Sequence, residues 1–160
     1  MTVAVVFPGQ GSQQTGAGEV WAATPAWALV ERAEALLGRP LAPLLLDASA
    51  AELRATAASQ LSVLLASLMA WATVAPVLGA PPAAMAGHSL GQVTALLASG
   101  AMSESDGLRF AAARADATQR AADAHPGVMA ALLGASEEQA AEACSAAPDA
   151  CWVANVNAPG

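Results

Sequence analysis

Lysine and tyrosine are absent from this 160-residue chain. Six arginines are its only fixed cations, set against thirteen acidic residues for a net charge of −7. A nucleic-acid surface needs clustered basic side chains, so this balance argues against one. Charged residues make up only 12% of the chain, about half the usual share. A chain this poor in charge and this rich in apolar residues is not intrinsically disordered. Cysteine is scarce as well. Cys144 and Cys151 build neither a disulfide framework nor a zinc site, and they read as two ordinary thiols. Nothing points to an oxidising compartment. No metal site is expected, and the expected location is the cytoplasm.

What is abundant is alanine, with 45 residues that inflate the 56% apolar content. The length suits one domain with a sizeable core. No charged residue occurs from Ala55 to Ser103. Inside that span, Leu61 to Ala80 is nearly all apolar and about as long as a bilayer crossing requires. Ser62, Ser67, Thr73, Pro76 and Gly79 interrupt it, and no positive charge flanks its C-terminal end. It reads as a buried core helix, not a membrane span. The apolar start, Val3 to Phe7, lacks a basic flank and is too short for a signal peptide.

Val3 to Phe7 predicts a buried strand closed by Pro8-Gly9, followed by a glycine-rich loop over residues 9–18. Helical spacing runs from Pro25 to Leu37 and stops at Gly38. A helix start is expected at Ala50 to Ala58 and a long helix over Leu61 to Leu78. Ala83 to Gly87 is a short strand candidate after Pro81-Pro82, with a turn and helix over His88 to Gly100. Ser103 is placed to cap a helix reaching Ala124. Val128 to Leu133 and Cys151 to Val156 are further strand candidates, flanking a helix that starts at Ser136. Strands alternating with helices predict an α/β fold with a mainly parallel sheet.

Gly87-His88-Ser89-Leu90-Gly91 is G-x-S-x-G, preceded by an apolar run and followed by a helical one. In such a motif the serine sits on a sharp strand-to-helix turn, with its hydroxyl exposed for nucleophilic attack. The N–H of the next residue, Leu90, then faces a developing oxyanion, aided by the positive end of the helix. A structural turn serine is the alternative. A second segment, Phe7-Pro8-Gly9-Gln10-Gly11-Ser12-Gln13, could present backbone N–H groups to an anion or be a plain turn. It lacks the lysine of a phosphate-binding loop.

Together these segments resemble the malonyl-CoA:acyl-carrier-protein transacylases, acyltransferases of fatty-acid and polyketide synthesis. Thr56 with Gln60, Arg114 with Gln119, Met129 to Gly134, and Asn155 with Asn157 continue the likeness collinearly. The resemblance implies an α/β-hydrolase-like large domain with a short parallel sheet over residues 1–125. It also implies the start of a ferredoxin-like small subdomain over 126–160. It makes Ser89 the residue that carries the malonyl group as an ester. Gln10 and Leu90 become the backbone oxyanion donors, and Arg114 the ligand of the free malonate carboxylate. His88, Gln60, Asn155 and Asn157 take supporting roles. Malonyl-CoA and acyl carrier protein are the implied partners; no cofactor beyond the carrier's phosphopantetheine is implied.

The chain departs from the family in places. Gln92 stands where many relatives have Glu, Thr118 where they often have Met, and Leu61 where they have Pro. The family's catalytic histidine lies well beyond the nucleophile. Here only His88 and His125 occur, and neither matches it. The chain is therefore expected to be roughly the N-terminal half of such an enzyme. The rival expectations are a non-catalytic fragment or subunit completed by a second chain, and a serine esterase built on the same elbow.

Overall fold

A computed structural model describes residues 2–148 and 150–158. The chain divides into two compact units, with the break between His125 and Pro126.

The first unit opens with β1 (Ala4–Phe7), which is not the buried strand expected, since only Phe7 is buried and Val6 is exposed. Its partner is β2 (Ala84–Gly87), paired in parallel with Phe7 opposite Gly87 and Ala4 opposite Ala84. β-branched residues suit β1, whereas Ala84-Met85-Ala86-Gly87 has little strand preference of its own. Tertiary pairing with β1 makes it a strand. The ladder extends past both ends, from Ala83 N–H to Val3 O at 2.9 Å and from His88 N–H to Phe7 O at 3.1 Å.

Between the strands lie α1 (Ala28–Leu37), α2 (Ala42–Leu46) and α3 (Thr56–Val74). α1 stops at Gly38, whose φ of 65° closes the helix in the left-handed conformation. The short α2 has no signal of its own in the sequence. The Glu34 carboxylate holds its start by accepting from Leu41 and Ala42 N–H at 2.7 and 2.8 Å. Those bonds hold Glu34 below the usual carboxylate range. Instead of the two helices expected over residues 50–78, a 3₁₀ turn at Glu52–Arg54 precedes one continuous α3. Nothing at Ser59 or Gln60 breaks a helix. α3 stops earlier than expected because Pro76 cannot donate, and a 3₁₀ turn over Ala75–Val77 ends it.

α3 forms the centre of the core. Leu61, Val63, Leu64, Leu65, Leu68 and Met69 are buried among α1, α2, α4 (Leu90–Ala98) and α5 (Glu104–Ala124). The segment Thr56–Val77 is long and apolar enough to cross a membrane, at a mean hydropathy of 1.6. Its residues Ser59 to Leu65 are all buried inside the unit, whereas its end, from Ala72 to Val77, is largely exposed. Trp71 Nε1–H donates to Ala98 O at 3.1 Å, tying the end of α3 to the end of α4.

Ser103 caps α5 as expected, accepting from Asp106 N–H at 3.1 Å. Removing that acceptor orphans a helix N–H. Ser103→Ala should therefore lower the unfolding free energy by about 1 kcal/mol. Urea denaturation followed by circular dichroism measures this, and an unchanged midpoint would contradict the cap's contribution.

The second unit holds α6 (Glu137–Ser145), started by a capping box between Ser136 and Gln139. The strands expected at Val128–Leu133 and Cys151–Val156 are absent among the described residues. An extended segment becomes a stable strand only where a neighbour satisfies its N–H and C=O groups. Here Val128 is 98% and Leu133 91% exposed, without the packing a strand needs.

Candidate active site

β2 runs directly into the turn that carries Ser89, and α4 begins at the next residue. Ser89 has φ 50° and ψ −108°, the one positive φ outside glycine among the described residues. Such backbone costs about 1–3 kcal/mol and persists only where its surroundings enforce it. Here the enforcement is backbone against backbone. A Cβ on Gly87 would lie 1.9 Å from the carbonyl carbon of Gly91. One on Gly91 would lie 2.2 Å from Phe7 O, and one on Gly9 2.6 Å from His88 O. The elbow is thus closed by its own two glycines and backed by the loop after β1. Hydrogen bonds from Gly91 N–H to His88 O (2.8 Å) and Gln92 N–H to Ser89 O (3.1 Å) complete the turn.

The Ser89 side is open to solvent. Arg114, midway along α5, reaches across and donates through Nη2 to Ser89 Oγ at 3.0 Å. Its Nη1 donates to Gln60 Oε1 on α3. Gln60 is fully buried, and its amide is held from the other side as well. Nε2 donates to Thr118 Oγ1 at 2.7 Å and to Thr56 Oγ1 at 3.1 Å. Thr118 in turn donates back to its own helix, to Arg114 O at 2.9 Å.

The loop after β1 joins the same network. Gln10 Nε2 donates to Thr56 Oγ1 at 2.7 Å and to Ser59 Oγ at 3.2 Å. Ser12 Oγ donates to Gly9 O at 2.8 Å, stiffening the turn. With the Gln10 side chain committed to α3, its backbone is fixed beside the elbow. Leu90 is the first residue of α4, so its N–H belongs to the helix end that lacks an acceptor four residues back.

Arg114 differs electrostatically from the arginines held in ion pairs. Arg32 grips Glu104 with two bonds, at 2.7 and 2.8 Å, and Arg39 meets Asp116 at 2.8 Å. These are the ion pairs among the described residues. Arg114 instead rests on a neutral amide and a hydroxyl, so its charge is available to an incoming anion. The Ser89 hydroxyl and the Arg114 cation sit one hydrogen bond apart.

The fold has solved counterparts. Residues 4–160 match the model of the acyl transferase domain. The chain belongs to the acyl transferase domain family. It is 37% identical to the malonyl CoA-acyl carrier protein transacylase of Escherichia coli (strain K12), over 98% of this chain and 52% of that protein. The chain thus spans about half the length of the curated relatives it matches. The crystal structure of MCAT from Mycobacterium tuberculosis superposes with a TM-score of 0.80 at 29% identity, over 91% of this chain and 49% of that one. A malonyl-transacylase in complex with its type II PKS acyl-carrier protein gives 0.75 at 29% identity, over 93% and 49%. The helix-rich α/β architecture with its short parallel sheet is therefore an acyl transferase fold.

Within this acyl transferase domain the structure brings Ser89, Leu90, Gln10, Gln60 and Arg114 to one place. His88 shares the elbow, its ring against Gly9. Asn155 and Asn157 lie in exposed, irregular chain of the second unit. Thr56, Ser59 and Thr118 were not expected as site supports. Their signal is the four-residue spacing of Thr56 with Gln60, and of Arg114 with Thr118. The first of these becomes visible only when α3 is read as one helix from Thr56.

Proposed function

We propose that this chain supplies the nucleophile half of a malonyl-CoA:acyl-carrier-protein transacylase. The observation that carries the reading is the Arg114 guanidinium, in no ion pair among the described residues and hydrogen-bonded to Ser89 at 3.0 Å. Ser89 Oγ attacks the thioester carbonyl of malonyl-CoA. The C–S bond breaks, coenzyme A leaves as its thiol, and malonate remains as a Ser89 ester. The phosphopantetheine thiol of the carrier protein then attacks that ester and releases Ser89. No cofactor of the enzyme's own enters this scheme.

Each group has a physical task. The oxyanion of both tetrahedral intermediates takes N–H donation from Gln10 and Leu90. The malonate carboxylate lies one carbon beyond the acyl carbonyl, within reach of a guanidinium that touches Oγ. There it replaces the hydroxyl as the acceptor of Arg114, in a two-pronged ion pair. Gln60 holds the guanidinium from behind without competing for its charge. The Ser89 proton goes to a histidine base, a role that neither His88 nor His125 is placed to take. His88 is turned toward the Gly9 side of the elbow, and His125 ends α5.

Substitution of Arg114 tests the reading. In the intact protein, Arg114→Ala should cut kcat/KM for malonyl-CoA about a hundredfold, the worth of one or two charge-assisted bonds. Transfer from acetyl-CoA, which has no carboxylate, should be unchanged or faster. Equal losses for the two substrates would favour the esterase reading, in which the guanidinium has no charge to bind.

A further inference from the structure

We propose that Cys144 and Cys151 form a site of reversible oxidation, closing an intrachain disulfide when the protein meets a hydroperoxide. The two Sγ atoms lie 3.3 Å apart in the second unit, with both thiols free. A disulfide needs them to approach by only about 1 Å more.

The fold of that unit brings them together. Cys144 is in the last turn of α6. Ala147 N–H donates to Cys144 O at 3.0 Å, which folds the chain over as the helix ends. Cys151 N–H then donates to Ala147 O at 2.9 Å, which turns the chain back toward α6. Two successive hydrogen-bonded turns thus set the second thiol beside the first. A sequence separation of seven residues permits such a meeting; these turns impose it.

The two sulfurs differ in environment. Cys144 is half-buried and Cys151 exposed. The hydrogen bond to Cys151, loss of water and the neighbouring sulfur's charge all push the Cys144 thiol up. Cys144 is thus the more shielded of the two thiols, while Cys151 faces the solvent. Residues 126–160 contain no arginine or lysine to favour a thiolate. The site offers a nearby second thiol more than an activated first one.

The chemistry balances in two steps. The Cys151 thiolate attacks one peroxide oxygen, the O–O bond breaks, and a sulfenic acid forms as hydroxide leaves and takes a proton to become water. Cys144 sulfur then attacks the Cys151 sulfur. The S–O bond breaks, and the departing hydroxyl takes the Cys144 proton as a second water. Two thiols are oxidised by two electrons and one hydroperoxide is reduced. A thiol reductant reverses the result.

Treating the purified protein with hydrogen peroxide and weighing it tests the site. The expected product has lost two hydrogens and both free thiols together. Cleavage at Asp149, which falls between the cysteines, should leave the two peptides joined until reductant is added. Ring closure should be about tenfold faster in native buffer than in guanidinium chloride, because the turns pre-position the sulfurs. Cys144→Ser and Cys151→Ser should each abolish the two-hydrogen loss. Four results would each overturn the proposal. They are oxygen adducts on one cysteine beside an intact partner, disulfide-linked dimers, two unreacted thiols, and closure no faster in the native chain than in the denatured one.

Discussion

Replacing Ser89 by alanine should abolish acyl transfer in the intact protein, lowering kcat by about 10⁴-fold or more. A nucleophile that carries the acyl group has no substitute in a two-step mechanism, so the loss exceeds that from any single binding contact. The backbone should tolerate the change no worse than it tolerates serine, since both have a Cβ at φ 50°. Stability should therefore hold while activity falls. The readouts are intact mass after exposure to malonyl-CoA and transfer to carrier protein. One malonyl adduct is expected on the unmodified protein and none on Ser89→Ala. An adduct that survives the substitution would move the nucleophile elsewhere.

The second large effect falls on folding. Gly87→Ala and Gly91→Ala should each destabilise the first unit by more than about 4 kcal/mol, a magnitude single substitutions reach only through severe structural conflict. A methyl group at either position would meet backbone at 1.9 to 2.2 Å, and backbone cannot rotate away. Total stabilities of roughly 5–15 kcal/mol leave little in reserve. The expected outcome is poor soluble yield and a lost or much lowered thermal transition. Gly127→Ala is the control, since nothing lies within 4 Å of its added methyl. Near-normal melting of either elbow variant would mean that the turn relaxes at little cost.

Much of the site was legible in the sequence because it consists of short motifs that act through backbone shape. G-x-S-x-G needs small residues where strand, turn and helix touch, and glycines show plainly in a sequence. β1, α4, α5 and the Ser103 cap were likewise visible from local pattern. The rest depends on contacts distant in sequence. α2 is started by the Glu34 carboxylate from the preceding helix, and no window around residues 42–46 reveals that. The support of Arg114 requires α3 and α5 to lie side by side, so that Gln60 meets a residue 54 positions later. The segments Val128–Leu133 and Cys151–Val156 are short, largely apolar runs, yet among the described residues neither is a strand. An apolar run proposes a strand, and only a partner makes it one. The thiol pair was hidden for a related reason. Cysteine arithmetic sees two residues, whereas the turns after α6 decide that they touch.

The register of the two strands also governs when the site can exist. Each residue of β1 pairs with one eighty positions later, Ala4 with Ala84 and Phe7 with Gly87. Contacts of such long separation carry a large loop-closure cost and tend to form late. The elbow leans on Phe7 and Gly9, so it takes shape only when that ladder closes. During synthesis the N-terminal strand must wait unpaired until the chain beyond Gly91 has left the ribosome. Ser89 and the loop after β1 then take their places in one step, and a chain still short of Gly91 lacks the turn that holds them.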